Sequence, residues 1–257
     1  MFTLLLAAKI AAAVIIVVTA ARAAERSGPF LGGMIASLPV STGPVYVFLA
    51  IDHDAAFISD SARMSVAGVA ATVAFVAAHA HAAQRFATPA SLGLATLVWF
   101  VVALLLQLRD WSFVEACVLF AGSFVLAIRG LRRFAVAGPA LPIPRARFGL
   151  ALRAALVASV VVATNAAGNA LGPSATGVLA TYPVILTSLV LILQPHCGGP
   201  FTASMLVGVL KGLVGFGVSL GVLHLSAVRM GSAAALLLAL AVAVGWNYTL
   251  YLWRMRK

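Results

Sequence analysis

The sequence predicts an all-α polytopic membrane protein of about nine transmembrane helices, arranged as two inverted four-helix repeats joined by a linking helix. Three observations predict it. Apolar runs are too long for anything but spanning helices, cations gather at the ends of those runs, and the second half repeats the first. Of 257 residues, 63% are hydrophobic and 9% charged, whereas a soluble domain carries about 25% charged residues. Such a chain has too little polar surface to face water. Runs of 18 or more apolar residues recur along its length, each long enough to cross a hydrocarbon core about 30 Å thick. Spanning strands would be shorter and would alternate in polarity.

We read spans at roughly 2–24, 29–51, 62–84, 89–108, 112–130, 148–169, 173–195, 200–224 and 230–253. The one substantial polar interval is Leu131–Gly149, with Arg132, Arg133, Arg145 and Arg147 and with Pro139, Pro142 and Pro144 between them. It reads as an interfacial connector. The organisation is therefore repeat 1 over 1–110, the linking helix and basic loop over 111–147, and repeat 2 over 148–257. Ala21-Arg22-Ala23 looks like a cleavage site. Lys9 interrupts the apolar stretch and no cation precedes it, so the first span is read as a retained helix.

The net charge of +11 is read as topology. The cations form no single stripe, which argues against nucleic acid as a partner. If all nine segments cross, Arg22, Arg26, Arg85, Arg129, Arg132, Arg133, Arg145, Arg147, Arg254, Arg256 and Lys257 share one face. Arg63, Arg109 and Arg229 take the other. The positive-inside rule then makes the first face cytoplasmic, with the N-terminus outside and the C-terminus inside. Making the second and seventh segments re-entrant would divide the cations almost evenly, so nine crossings are preferred. Cys117 and Cys197 stand apart in the chain, so neither a disulfide framework nor a zinc site is expected.

Sliding the chain by 144 positions matches Gly28-Pro29 to Gly172-Pro173, Gly33 to Gly177, Pro39-Val40 to Pro183-Val184, Gly68 to Gly212 and Arg85 to Arg229. Lys9 falls on Arg153 and Ser37 on Thr181. Alanine-rich helices aligned by chance would match alanines, not prolines, glycines and cations in one register. Four spans per copy plus one linker start the second copy from the opposite face. Inverted repeats of this kind recur in secondary transporters.

The candidate site lies where the two copies carry matching prolines. Pro39 and Pro183 each remove a helical hydrogen bond, and backbone groups freed inside a membrane must find partners. Ser37, Ser41 and Thr42 in one copy, and Thr181, Thr187 and Ser188 in the other, bring hydroxyls to that level. Lys9, Arg153 and Lys211 lie within spans, where an ionisable group is costly and marks function by default. Asp52, Asp54, Asp60, Asp110 and Glu115 lie towards the outer face and Glu25 towards the inner one, leaving no carboxylate at the midplane. This favours an anionic or zwitterionic small-molecule substrate over a cation. Snorkelling of Lys9 and Arg153, and a kink satisfied by neighbouring hydroxyls, are the bland alternatives. Asp52-His53-Asp54 reads as a solvated loop, and His79 and His81 read as residues near the interface. His196, His224, Asn165 and Asn169 near span ends carry no assignment. With no GxSxG, HExxH, P-loop or nucleophile–base pair, no enzyme activity, cofactor or metal is expected.

On Lys9, Gly33, Pro39, Arg63 and Pro89, each copy resembles the GlpM-like family of small four-span bacterial inner-membrane proteins. The second half is more divergent and keeps Arg153, Gly177 and Pro183. The chain departs from the family in being double-length. The resemblance implies a membrane role linked in some bacteria to exopolysaccharide production. The reading is a small permease in the lipid bilayer with its site at the broken second and seventh helices. The alternative is a non-transporting accessory protein of exopolysaccharide or envelope lipid assembly. A homodimer is left open.

Overall fold

The computed structural model describes residues 11–16, 19, 42–135 and 149–256. Among them are the helices α1 (Thr42–Asp52), α2 (Ala55–Ala82), α3 (Thr88–Gln107), α4 (Phe113–Gly130), α5 (Gly149–Ala170), α6 (Gly172–Leu179), α7 (Val184–Cys197), α8 (Gly199–Met230) and α9 (Ser232–Met255). A 3₁₀ turn covers Arg132–Phe134, and the described residues contain no strand. The chain is an all-α polytopic membrane protein. Among the described residues, six helical segments are long and apolar enough to cross a bilayer, the α6–α7 stretch counting as one.

Several helices start on a local signal. Asp54 accepts a hydrogen bond from the Phe57 amide at 2.8 Å and so caps α2. This begins the helix before the apolar run that set the expected span at 62. Arg63 therefore lies two turns inside α2, 3.5 Å from Asp60, and donates to the Trp111 carbonyl. Ser112 and Glu115 form a reciprocal capping box at the start of α4, satisfying two amides the helix cannot satisfy itself. In the second half glycine replaces the side-chain caps. Gly172, Gly198 and Gly231 adopt φ of 80°, 83° and 82°, a region open to glycine and costly for residues with a Cβ.

The helices form two tiers. α2, α6–α7 and α8 are largely buried, whereas α3, α4 and α9 expose most of their apolar surface. Leu104, Val118, Leu126 and Leu237 point outward from these three helices, as lipid-facing residues do. α2 and α8 run antiparallel along each other. Ser59 near the start of α2 donates to the His224 carbonyl near the end of α8, at 2.9 Å. At the other end Gly199 is so close to Ala83 that an added Cβ would lie 1.8 Å from its carbonyl oxygen. Arg63, Arg109 and Arg229 fall at the Asp54 end of the bundle, and Arg85, Arg129, Arg132 and Arg133 at the opposite end.

Helix starts in the two halves keep one interval. Ala55 and Gly199, which open α2 and α8, are 144 positions apart, as are Thr88 and Ser232, which open α3 and α9. Packing is reciprocal too, since α3 lies against α7 and α9 lies against α1.

Candidate functional site

The seventh span is broken in the middle. α6 ends at Leu179, and the chain makes a tight turn before α7 starts at Val184. Pro183 has φ −81° and ψ 66°, and the Val184 amide donates to the Tyr182 carbonyl at 2.8 Å. These are the marks of an inverse γ-turn centred on the proline. Proline brings no amide to bridge the two helices, so the ladder restarts with Thr187 donating to the Pro183 carbonyl at 2.9 Å. Pro183 is buried.

Carbonyls around the break are taken up by hydroxyls from the first half of the chain. Thr42 Oγ1 donates to the Ala180 carbonyl at 2.9 Å, Thr72 Oγ1 to the Thr181 carbonyl at 2.8 Å, and Ser65 Oγ to the Gly177 carbonyl at 2.6 Å. Tyr46 lies 2.7 Å from Ser65 Oγ, whose proton is committed to Gly177, so the phenol donates. Glycine makes the approach close. A Cβ on Gly177 would lie 2.1 Å from the Ser61 carbonyl oxygen, and one on Gly68 would lie 2.8 Å from Thr181 Oγ1. Ser61, Ser65, Gly68 and Thr72 recur at i, i+4, i+7 and i+11, so one face of α2 presents them all to α6. That period was visible in the sequence as a shared face of one helix, but not the partner that the face meets.

The expected site residues divide three ways. Thr42, Thr181, Pro183, Thr187 and Ser188 come together at the break or in the first turn of α7. Thr181 Oγ1 and Ser188 Oγ bond to Val178 and Ile185 in their own segments, at 2.7 and 2.8 Å. Thr187 Oγ1 is buried with no hydrogen-bond partner. Lys211 lies part-way along α8 with its side chain exposed; only its backbone carbonyl is engaged, by Trp246 Nε1 at 2.9 Å. Lys9, Ser37, Pro39 and Ser41 lie outside the described residues, and Arg153 belongs to α5 with its side chain undescribed.

A second polar cluster sits at the far end of α7. His79 of α2, read from the sequence as a residue near the interface, is completely buried. Its Nε2 lies 3.0 Å from Gln194 Oε1, which also accepts from Ser91 Oγ at 2.9 Å. Gln194 Nε2 donates to the Phe86 carbonyl at 3.2 Å. The cluster ties α2, α3 and α7 together. At the opposite end Asn165 donates to Asp52 at 3.3 Å and His53 stacks on Phe57 at 3.9 Å. No group of three or more metal-ligating side chains occurs among the described residues. Comparison with known proteins gives no matching family model, curated protein or solved structure.

Proposed function

We infer that the chain is a small secondary permease for an anionic small molecule, built from two inverted halves, with its site at the α6–α7 break. The observation that carries this is the break itself. Hydroxyls of the other half reach into the apolar bundle and spend single hydrogen bonds on carbonyls at the break, donors for which an anionic substrate can compete. Broken helices in corresponding positions of two halves are how many transporters build midplane sites.

The antiparallel run of α2 and α8, the shared 144-residue interval and the reciprocal packing of α3 on α7 and α9 on α1 support the inverted arrangement. An anionic substrate fits because no carboxylate follows Glu115 in the chain, and because α7 opens at the break with its N-terminus, the end that favours negative charge. Arg153 and Lys9 would add positive charge from the paired first spans. The end holding Arg85, Arg129, Arg132 and Arg133 would be cytoplasmic in a bacterial inner membrane.

The tightness of the break favours one second reading. With Gly177 set against the Ser61 carbonyl and Gly68 against Thr181 and Val178, the chain also suits a non-transporting accessory of exopolysaccharide or envelope lipid assembly, the role that the GlpM-like resemblance implies. Proteoliposomes loaded with phosphate, sulfate, acetate or amino acids separate the two. The permease reading expects flux of at least one of them, reduced at least about tenfold by Thr72→Val or Pro183→Ala. Absence of flux across the whole set, from protein folded by thermal-melt criteria, leaves the accessory role. Cysteine labelling from each side gives an independent check, since termini on the same face would end the inverted-repeat reading.

A further inference from the structure

Threonines inside these helices turn their hydroxyls onto the carbonyl four residues back. Thr164 donates to Val160, Thr176 to Gly172 and Thr202 to Gly198, at 2.8, 2.8 and 2.9 Å. Thr187 has the Pro183 carbonyl in the same relation, accepting its amide, yet its hydroxyl is buried with no hydrogen-bond partner. Indole N–H groups are engaged in the same way. Trp111 donates to the Leu106 carbonyl at 3.0 Å and Trp246 to the Lys211 carbonyl at 2.9 Å. Trp99 of α3 is completely buried, and its Nε1 has no hydrogen-bond partner.

These two groups lie at one depth, beside the break. Ser91 Oγ donates to Gln194 Oε1 and so fixes α3 against α7. The two run antiparallel, since Gln107 further along α3 reaches back to the Ser174 carbonyl at 3.4 Å. Trp99 stands eight residues from Ser91 and Thr187 seven from Gln194, so both lie about 10 to 12 Å from that bond, towards the break. Thr187 and Gln194 are two turns apart and share a face of α7. Trp99 continues the buried stripe of Ser91 and Ala95, and its ring meets Tyr182, the residue before Pro183, edge-on at 5.0 Å. The first turn of α7 adds two more donors. The Ile185 and Leu186 amides make no backbone hydrogen bond. The carbonyls four residues back, on Thr181 and Tyr182, accept instead from Thr72 Oγ1 and the Val184 amide. Helix side chains lean towards the N-terminus, which carries the Thr187 hydroxyl towards these amides.

We propose that Trp99 Nε1, Thr187 Oγ1 and the Ile185 and Leu186 amides form an oxyanion seat at the start of α7, which binds the carboxylate of a small monocarboxylate. This rests on the reading of the break as a substrate site and names the substrate class. All of these donors are neutral. α3, α6 and α7 contain no Asp, Glu, Lys or Arg, and Asp60 and Arg63 of α2 lie near its start. A helix N-terminus presents about half a positive charge. With neutral donors it holds one negative charge, whereas a second, buried without compensation, is costly. Sulfate and hydrogen phosphate are therefore disfavoured. One carboxylate oxygen takes the amide pair and the other takes Thr187 and Trp99. The rings of Trp99, Phe100 and Tyr182 pack on one another and wall its apolar end. Lys9 and Arg153 would draw the anion towards the break; the seat itself is neutral.

The test follows the Trp99 indole proton by NMR in the full chain in lipid nanodiscs, its signal being identified by its absence in Trp99→Phe. Sodium acetate should move that proton downfield, saturably, and sodium sulfate at equal ionic strength should not. Thr187→Val should weaken acetate binding at least about tenfold, the loss of one hydrogen bond to a charged acceptor. Trp99→Phe should abolish most of the rise in thermal midpoint that acetate gives the wild type. Without acetate neither change should lower the midpoint, since each removes a buried donor that has no partner and keeps the shape. The seat is overturned if the indole proton ignores acetate, if sulfate moves it equally, or if Thr187→Val binds acetate as the wild type does. It is also overturned if both variants are less stable without acetate, which would assign these donors to internal water or carbonyls. Binding without acetate flux into proteoliposomes ends the permease reading and leaves the seat. Acetate flux that survives in Thr187→Val, with no shift of the indole proton, ends the seat and leaves the permease.

Discussion

The two ends of α7 solve the same problem differently. At its N-terminal end the Pro183 turn frees backbone carbonyls, and Thr42, Ser65 and Thr72 each donate to one of them. At its C-terminal end two side chains and a carbonyl gather on Gln194, and His79 Nδ1 is left without a partner. The carbonyls of the first end are satisfied by hydroxyls that hold one protonation state at any physiological pH, although Thr187 Oγ1 and Ser61 Oγ there are themselves buried without a partner. The second holds a buried imidazole through one nitrogen and leaves the other without a partner. One end thus spends its hydroxyls on backbone carbonyls, and the other gathers side chains on one amide.

The sharpest way to break this contrast is at the packing beneath the first end. Gly177→Leu would place a side chain where even a Cβ lies 2.1 Å from the Ser61 carbonyl oxygen. We expect a loss of about 3 kcal/mol or more, read as a large fall in thermal midpoint in detergent. Near-wild-type stability would mean that α2 and α6 are not in backbone contact. Gln194→Leu comes next, at about 2 kcal/mol, because it strands the Phe86 carbonyl and removes the acceptor of His79 and Ser91. Thr72→Val should cost about 1 kcal/mol, leaving the Thr181 carbonyl unpaired in a setting where interhelical hydrogen bonds are individually modest. Ser188→Ala should be nearly neutral, since that hydroxyl bonds within its own helix. If Ser188→Ala proved costlier than Thr72→Val, the assignment of the bridging bonds to α2 would be wrong. Lys211→Leu should leave the melting midpoint unchanged, because the side chain is exposed and no hydrogen bond engages its ammonium among the described residues. Lost anion flux with unchanged stability would put its charge on the permeation path.

Helix positions were legible in the sequence because membrane spans announce themselves by length and apolarity, neither of which needs a partner. The break at Pro183 was legible too, since a proline lacks its amide wherever it stands. Thr42 was read as a hydroxyl at the level of the break, and it bonds to Ala180. The donors on α2 were not read, although Ser61, Ser65, Gly68 and Thr72 share a helical face, because serine and threonine are common in spans and only a neighbour reveals which face matters. His79 was placed near the interface because it lies four residues from the end of α2. Depth along a helix says nothing about which way the ring faces across the bundle.

The sequence by itself determined that this chain crosses a membrane as helices, roughly where those helices lie, and that one of them carries a proline near its middle. Each of these follows from the bilayer or from a residue's own covalent chemistry. Tertiary structure alone decided that the break is closed by the other half of the chain, that Lys211 looks outward, and that His79 looks inward at Gln194. The first and the last of these depend on pairs of residues more than 100 positions apart, and only packing brings such pairs within the 3 Å over which a hydrogen bond acts.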